Sequence, residues 1–130
     1  MIAGTLVLPG RSTPGPIQGL TTDPTYFDVE LPAGASLSHP IDADYSVFVY
    51  PYEGDLRIGA QPLKAHDAGV LAPGDRIEVT AGADGARFLL LAGHPLREPV
   101  AQYGPFVMNT REELEQAVRD YQSGELTRAA

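Results

Sequence analysis

The sequence has 130 residues, 43% of them hydrophobic, which suits one domain with a modest core. Seventeen acidic residues against nine basic ones give a net charge of −8, so we expect no binding to nucleic acid or to an anionic membrane. Because cysteine is absent, disulfides, thiolate catalysis and Cys-ligated zinc are excluded. The sequence has no convincing signal peptide and no apolar run long enough to span a bilayer, so we expect a cytoplasmic location.

The N-terminal part, residues 1–25, is rich in glycine, proline and threonine and shows little periodicity. We predict an extended arm there, with one short strand near Thr5–Leu8. Regular alternation begins at Tyr26, so the domain proper is predicted to span residues 26–130. Apolar and polar side chains alternate over residues 26–31, which is typical of a strand with one buried face.

Further strands follow at short spacing. Residues 46–52 are dense in β-branched and aromatic side chains, and residues 76–80 alternate again. The Asp84-Gly85 pair is a hairpin signal, and the unbroken apolar run at residues 88–92 predicts a strand that is buried on both faces. Short strands separated by turn residues indicate an all-β sandwich or barrel.

The C-terminal segment departs from this pattern. Thr110 and Glu113 are spaced as a capping box, apolar residues then recur at helical spacing, and Gly124 stands where a left-handed residue would end a helix. We predict one amphipathic helix over about residues 111–123. Its apolar face is expected to dock on the outer face of a sheet or, as the alternative, on a partner subunit.

The sequence offers few candidates for catalysis. The three histidines are His39, His66 and His94; they are widely spaced, and each is expected in a loop or at the surface. A metal site built from all three stays an open alternative that the spacing does not support. Ser38 and His39 are adjacent, so on a strand they would point to opposite faces. Asp42 and Asp44 are expected on a solvated side. We therefore predict no catalytic residues.

Three segments are similar to the pirin family. They are residues 34–36 with 48–50 and 53–54, residues 86–99, and the most specific one, residues 103–113, which reads YGPFVMNTREE. The similarity runs from about Tyr26 to Leu126 and resembles the C-terminal cupin of these two-domain proteins. It implies an all-β, cupin-type double-stranded β-helix, or jelly roll, with one C-terminal α-helix. The arm at residues 1–25 would then correspond to the family's inter-domain junction.

The resemblance also bears on metal binding. In pirins, iron is held in the N-terminal cupin by three histidines and a glutamate, and the corresponding positions here fall near Pro40, Asp42, Val79 and Ala81. Only Asp42 could bind a metal, and His39 is one residue out of register, which on a strand would place it on the other face. A non-haem iron site needs about three protein ligands. We therefore predict no metal site and no cofactor.

Three functions are compatible with this resemblance. The first is a non-catalytic interaction or regulatory module. The second is a subunit or fragment of a quercetin 2,3-dioxygenase-type pirin that acts with a metal-bearing cupin, since we expect no activity from this chain alone. The third is a metal-free cupin that binds a small molecule in a cavity lined by Phe48, Tyr50, Phe88 and Leu90. Because the missing first domain should leave apolar surface uncovered, we expect a homo-oligomer or a metal-bearing cupin partner.

Overall fold

The computed structural model describes residues 1–127, which form two compact units, one from Met1 to Pro95 and one that begins at Leu96. The strands of the first unit are β1 (Thr5–Leu8), β2 (Arg11–Pro14), β3 (Thr25–Leu31), β4 (Ser36–Pro40), β5 (Ser46–Glu53), β6 (Leu56–Ile58), β7 (Gln61–Leu63), β8 (Gly69–Val70), β9 (Arg76–Ala81) and β10 (Ala86–Gly93). The second unit contains β11 (Ala101–Tyr103), β12 (Phe106–Met108) and helix α1 (Arg111–Ser123).

Two four-stranded sheets form the body of the first unit. One has the strand order β3-β10-β5-β8 and the other the order β4-β9-β6-β7, and every pairing within them is antiparallel. Both sheets contribute to one hydrophobic core, for example Phe27 and Phe88 from the first and Leu37 and Val79 from the second. The prediction of an all-β jelly roll with a single C-terminal helix is confirmed for the described residues.

The central strand β10 shows how the sequence divides between core and surface. Its alternate residues Phe88 and Leu90 are fully buried, as expected for side chains that point into the core. Leu89 and Leu91 point the opposite way and are only half-buried. The prediction that this strand is buried on both faces is therefore corrected, because the outer face of its sheet is partly open.

Two glycines meet where the β5–β6 and β9–β10 turns approach each other. Gly54 has a φ of 70° and Gly85 a φ of 79°, a region that side chains with a Cβ rarely adopt. A Cβ built on Gly54 would overlap the carbonyl oxygen of Gly85. Glycine is thus needed at position 54 both for its backbone conformation and for the close approach of the two turns.

The N-terminal segment contains more structure than a single strand. β1 lies where the sequence predicts a strand, but β2 pairs with it in a hairpin that the sequence did not predict. Gly10, with a φ of 72°, allows the chain to reverse between the two strands. The residues before β1 are also anchored, since the amide of Ile2 donates to the carbonyl oxygen of Tyr26 over 2.8 Å.

The second unit consists of a hairpin and the predicted helix. The Thr110 hydroxyl accepts a hydrogen bond from the Glu113 amide, and the Glu113 carboxylate accepts one from the Thr110 amide, which confirms the capping box. Gly124 ends the helix with a φ of 76°. The helix packs on β11 and β12 of its own unit, where Leu114 is buried. Sequence reasoning did not identify this hairpin as the surface on which the helix docks.

Among the described residues, no helix is both long and apolar enough to cross a bilayer.

Candidate functional site

His39 lies on β4 and faces the interior of the first unit. β4 pairs with β9 so that His39 is opposite Ile77, and both side chains are buried. Only 3% of the His39 surface is exposed, whereas the next residue, Pro40, is exposed. The expectation of a surface or loop histidine is therefore wrong. Because successive residues of a strand alternate between faces, His39 points inward and Pro40 points outward.

The His39 ring is held between a backbone and an aromatic ring. Its Nδ1 lies 3.4 Å from the amide nitrogen and 3.4 Å from the carbonyl oxygen of Val7 on β1. The ring of Phe27 meets it edge to face, with centroids 5.2 Å apart. Burial lowers the pKa of His39 below its ordinary value and outweighs the hydrogen bond with Val7, which raises it; the nearby charge of Arg76 lowers the pKa further. The imidazole is therefore mainly neutral at neutral pH.

The other positions projected for iron do not supply a ligand set. Asp42 is exposed, and its Oδ1 accepts a hydrogen bond from the Asp44 amide over 2.9 Å. Val79 and Ala81 are buried in the core. In the part of the chain that the structure describes, no group of three or more His, Cys, Asp or Glu side chains is placed to hold a metal ion. These described residues therefore do not form a ligand set for iron.

The remaining histidines lie elsewhere. His66 is exposed in the β7–β8 connection, in a left-handed conformation with a φ of 71°. His94 is exposed just after β10, and its ring lies edge-on to that of Tyr45 at 4.5 Å. The three histidines thus occupy separate environments, one buried and two exposed.

A small open cavity adjoins His39, with a volume of about 190 Å³. We call it the His39 cavity; its lining includes Thr5, Asp23, Thr25, His39, Asp42 and Tyr45. The Tyr45 hydroxyl donates to Oδ2 of Asp23 over 2.5 Å. Burial, together with the hydrogen bond and charge of Asp23, raises the pKa of Tyr45 to about 12. Residues far apart in the sequence meet here, because β1, the start of β3 and the end of β4 all contribute to the lining.

The four residues predicted to line a ligand cavity are divided between two faces. Phe88 and Leu90 point into the core and are fully buried. Phe48 and Tyr50 are half-buried on the opposite face of the same sheet, because their ladder partners are Leu91 and Leu89. The structure therefore does not bring these four side chains together.

The outward side chains form instead an apolar surface that we call the outer apolar face. One row crosses four strands in register and consists of Tyr26, Leu91, Phe48 and Val70. A second row lies beside it and consists of Leu89 and Tyr50. An open groove of about 520 Å³ runs along one end of this face. The sequence indicates this outer apolar face, because Leu89 and Leu91 are apolar at positions that alternate with core residues.

A charged row borders this face. The Arg87 guanidinium lies 3.0 Å from the carboxylate of Glu30 and 3.7 Å from that of Glu53, on either side of it. Next to this row the Tyr52 hydroxyl donates to Asp28 over 2.7 Å. Apolar rows with a polar margin are the composition of many protein–protein contact surfaces.

Two facing antiparallel sheets with these strand pairings define the first unit as a cupin-type jelly roll. Residues 26–127 match the pirin C-terminal cupin domain, so the chain belongs to the pirin family. It is 46% identical over 112 residues to a pirin-like protein of Caulobacter vibrioides, and 43% identical over 109 residues to human pirin. These alignments cover 86% and 79% of this chain but only 40% and 38% of the two relatives.

Solved structures agree with this assignment. A quercetin 2,3-dioxygenase from Acinetobacter baumannii superposes with a TM-score of 0.80 at 26% identity, over 88% of this chain and 40% of that one. The chain therefore spans about 40% of the length of these longer proteins.

Proposed function

We propose that this chain is a non-catalytic interaction module that binds another cupin domain through its outer apolar face. The observation that supports this proposal most directly is the row of Tyr26, Leu91, Phe48 and Val70, which continues across all four strands of one sheet. The occupant of the face would be a second copy of this chain or a metal-bearing cupin.

The composition of the outer apolar face is that of a surface covered by another protein. In antiparallel sheets with one solvated side, the outward positions are usually polar. Here they carry leucines and aromatic rings that are half-buried, and Val70 is 80% exposed. Contiguous apolar patches that are bordered by polar residues are typical of protein–protein contact sites.

The choice of another cupin as occupant is supported by shape and by chain length. Sheets pack face to face at a spacing of about 10 Å with interdigitating side chains, so a second sheet is the natural cover for a flat sheet face. The relatives are more than twice as long as the region they share with this chain.

The mass of the chain in solution tests this proposal. Sedimentation or light scattering would be measured for the chain alone and for the chain co-expressed with an iron-loaded pirin N-terminal cupin. Val70→Asp should weaken whichever association occurs by at least about tenfold, because a buried unpaired carboxylate is costly. Val100→Asp is the matched control, since Val100 is 76% exposed in the second unit. A chain that is monomeric in both samples, or an association that tolerates Val70→Asp, would contradict the proposal.

A second candidate is a subunit or fragment of a quercetin 2,3-dioxygenase-type assembly. It is favoured by the likeness to the Acinetobacter baumannii enzyme. Because the described residues of this chain offer no metal-binding cluster, the iron would have to be held by another cupin. Quercetin turnover would be measured for the chain alone, with added iron, and with the metal-bearing cupin. This candidate is wrong if the metal-bearing cupin alone turns over quercetin and the rate does not rise when this chain is added.

A further inference from the structure

We propose that the second unit binds a short extended peptide with a carboxylate side chain, which adds as a strand to the free edge of β11. The site is an open groove of about 820 Å³ that we call the β11 groove. Its lining includes Ala101, Gln102 and Tyr103 of β11 and, from helix α1, Leu114, Val118 and Arg119. All of these residues lie in the second unit, so the proposal does not depend on the outer apolar face.

One edge of β11 is open along this groove. In the described part of the chain, the sheet that contains β11 has two strands, and β12 contributes no residue to the lining of the groove. The groove therefore lies along the side of β11 that faces away from β12. The edge of a sheet presents backbone N–H and C=O groups that can pair with another extended chain. Addition of a peptide strand to such an edge is a common mode of peptide recognition.

The backbone of Gln102 is the part of this edge that can pair with a strand. Residues 104 and 105 form a two-residue loop, so the residues that flank it, Tyr103 and Phe106, form the first hydrogen-bonded pair of the hairpin. Because such pairs alternate with non-hydrogen-bonded ones in an antiparallel ladder, the next pair, Gln102 with Val107, is not hydrogen-bonded. The amide and the carbonyl of Gln102 therefore point away from β12. They can exchange two hydrogen bonds with one residue of an antiparallel peptide.

Helix α1 forms the wall on which side chains of the added strand would pack. Tyr103 and Phe106 share one face of the hairpin, and the helix packs on that face, since the rings of Phe106 and Tyr121 meet with centroids 6.2 Å apart. In the peptide, the two neighbours of the residue paired with Gln102 would point to this same face. There they would meet the half-buried Val118, so an apolar side chain suits one of the two positions.

The charges of the groove favour a carboxylate at the other position. The lining contains two arginines and one glutamate, Arg111, Arg119 and Glu115, and so has a net charge of +1 on a chain whose net charge is −8. Arg111 is paired with Glu115 at 3.3 Å. Arg119 donates to the side-chain oxygen of Gln116 over 2.8 Å, and no carboxylate of the described residues forms an ion pair with it. A guanidinium has five N–H donors, so Arg119 can also bind a carboxylate of the peptide.

The binding test uses the full chain and two defined peptides. They are acetyl-Ser-Val-Thr-Glu-Ser-amide and acetyl-Ser-Glu-Thr-Val-Ser-amide, which place valine and glutamate in both orders around the central threonine. Each would be titrated while amide chemical shifts of the protein are followed by NMR. At least one should give saturable shifts, with a dissociation constant in the millimolar range or below, as expected for a short flexible peptide. The largest shifts should fall on Gln102 and on residues 111–119.

Two changes to the peptide test the two parts of the proposal. N-methylation of the central threonine removes the N–H that would donate to the Gln102 carbonyl, and it should weaken binding about tenfold. Replacement of the glutamate by lysine should weaken binding by a similar factor, because the lysine would face Arg119. The net charge of −8 would by itself favour the lysine peptide, so a preference for glutamate must arise in the groove.

Variants of the protein locate the site. Arg119→Gln removes the guanidinium and should raise the dissociation constant about three- to tenfold, the range of an exposed ion pair. Arg57→Gln is the matched control, because Arg57 is exposed in the first unit and its loss changes the net charge equally. It should change the affinity less than twofold. Val70→Asp, on the outer apolar face, should leave peptide binding unchanged, which separates a failure of this proposal from a failure of the one made for that face.

Several results would overturn the proposal. Neither peptide might give saturable shifts, or the N-methylated or lysine peptide might bind as well as its parent. Equal losses of affinity in Arg119→Gln and Arg57→Gln would show a general effect of net charge, and a loss in Val70→Asp would place the site elsewhere. A dimer of the chain, or a complex with a cupin domain, that protects the Gln102 amide from exchange and excludes the peptide would identify another occupant. Retained NMR dispersion in each variant excludes misfolding as the cause of lost binding.

Discussion

The Nδ1 atom of His39 lies 3.4 Å from both the amide nitrogen and the carbonyl oxygen of Val7. One ring nitrogen cannot accept from the amide and donate to the carbonyl at the same time, so the tautomer decides which contact forms. In either state the imidazole engages the edge of β1 that faces away from β2. His39 therefore fastens the N-terminal hairpin to β4, and this hairpin forms part of the wall of the His39 cavity.

Acid should destabilise the protein through His39. Its pKa is lowered in the folded chain, chiefly by burial, whereas in the unfolded chain a histidine side chain titrates near pH 6.5. Below that pH the unfolded state binds more protons, so the free energy of unfolding falls as the pH drops toward the folded pKa. Thermal unfolding between pH 8 and pH 5 should show this loss, and His39→Gln should reduce its slope. His66→Asn, at an exposed position with positive φ, is the control. Equal slopes in the wild type and His39→Gln would contradict this expectation.

Elements of both units could be foreseen from the sequence where the local pattern agrees with the tertiary role. In the first unit the alternation in β3 and β9 identified strands, and in the second unit the capping box identified the helix. The direction of His39 could not be foreseen, because a one-residue choice of register exchanges the two faces of a strand. Only the pairing of His39 with Ile77 fixes that register. The hairpin β1–β2 could not be foreseen either, because residues 1–25 show little periodicity.

The close approach of Gly54 to Gly85 predicts a difference between two similar substitutions. Gly54 and Gly59 both have positive φ, so alanine at either position is expected to cost about 1–2 kcal/mol in backbone strain. At Gly59 an added Cβ meets nothing within 4 Å, whereas at Gly54 it overlaps the backbone of Gly85. Gly54→Ala should therefore lower the free energy of unfolding by at least about 3 kcal/mol, a cost in the range of severe strain. Urea unfolding that gives similar values for both variants would rule out the steric explanation.

The alkaline limit of stability should depend on Tyr45. Its pKa is raised to about 12 by burial and by the hydrogen bond to Asp23. A tyrosine in the unfolded chain ionises near pH 10, so the stabilisation is present below pH 10 and is lost between pH 10 and about 12. Tyr45→Phe should flatten the decline of stability over this interval, and ultraviolet titration of the phenolate should lose a late-ionising group. Tyr103→Phe, at a tyrosine that is 70% exposed, should leave the decline of stability and the late-ionising group unchanged.

The capping box predicts how the second unit responds to a change at its helix start. Thr110→Ala removes the hydroxyl that accepts from the Glu113 amide over 3.2 Å. Loss of such a cap typically costs about 1 kcal/mol, and Thr110→Ser should restore most of it. Because the change is local, hydrogen exchange of the first helical turn should accelerate about fivefold. Unaltered exchange in Thr110→Ala would show that the capping box adds nothing to the stability of the helix.

Leu90 and Leu91 are neighbours on β10 that should behave in opposite ways. Leu90 is fully buried in the core, so Leu90→Ala should lower the free energy of unfolding by about 2–5 kcal/mol through lost burial and the cavity left behind. Leu91 is half-buried on the outer apolar face, so Leu91→Ala should cost the isolated chain much less. Its effect should appear instead in association, as a weaker complex with the second cupin domain. Chemical unfolding at low protein concentration, combined with sedimentation at high concentration, separates the two effects. If Leu91→Ala destabilised the monomer as much as Leu90→Ala and left association unchanged, the outer apolar face would be part of the fold of this chain and not a binding surface.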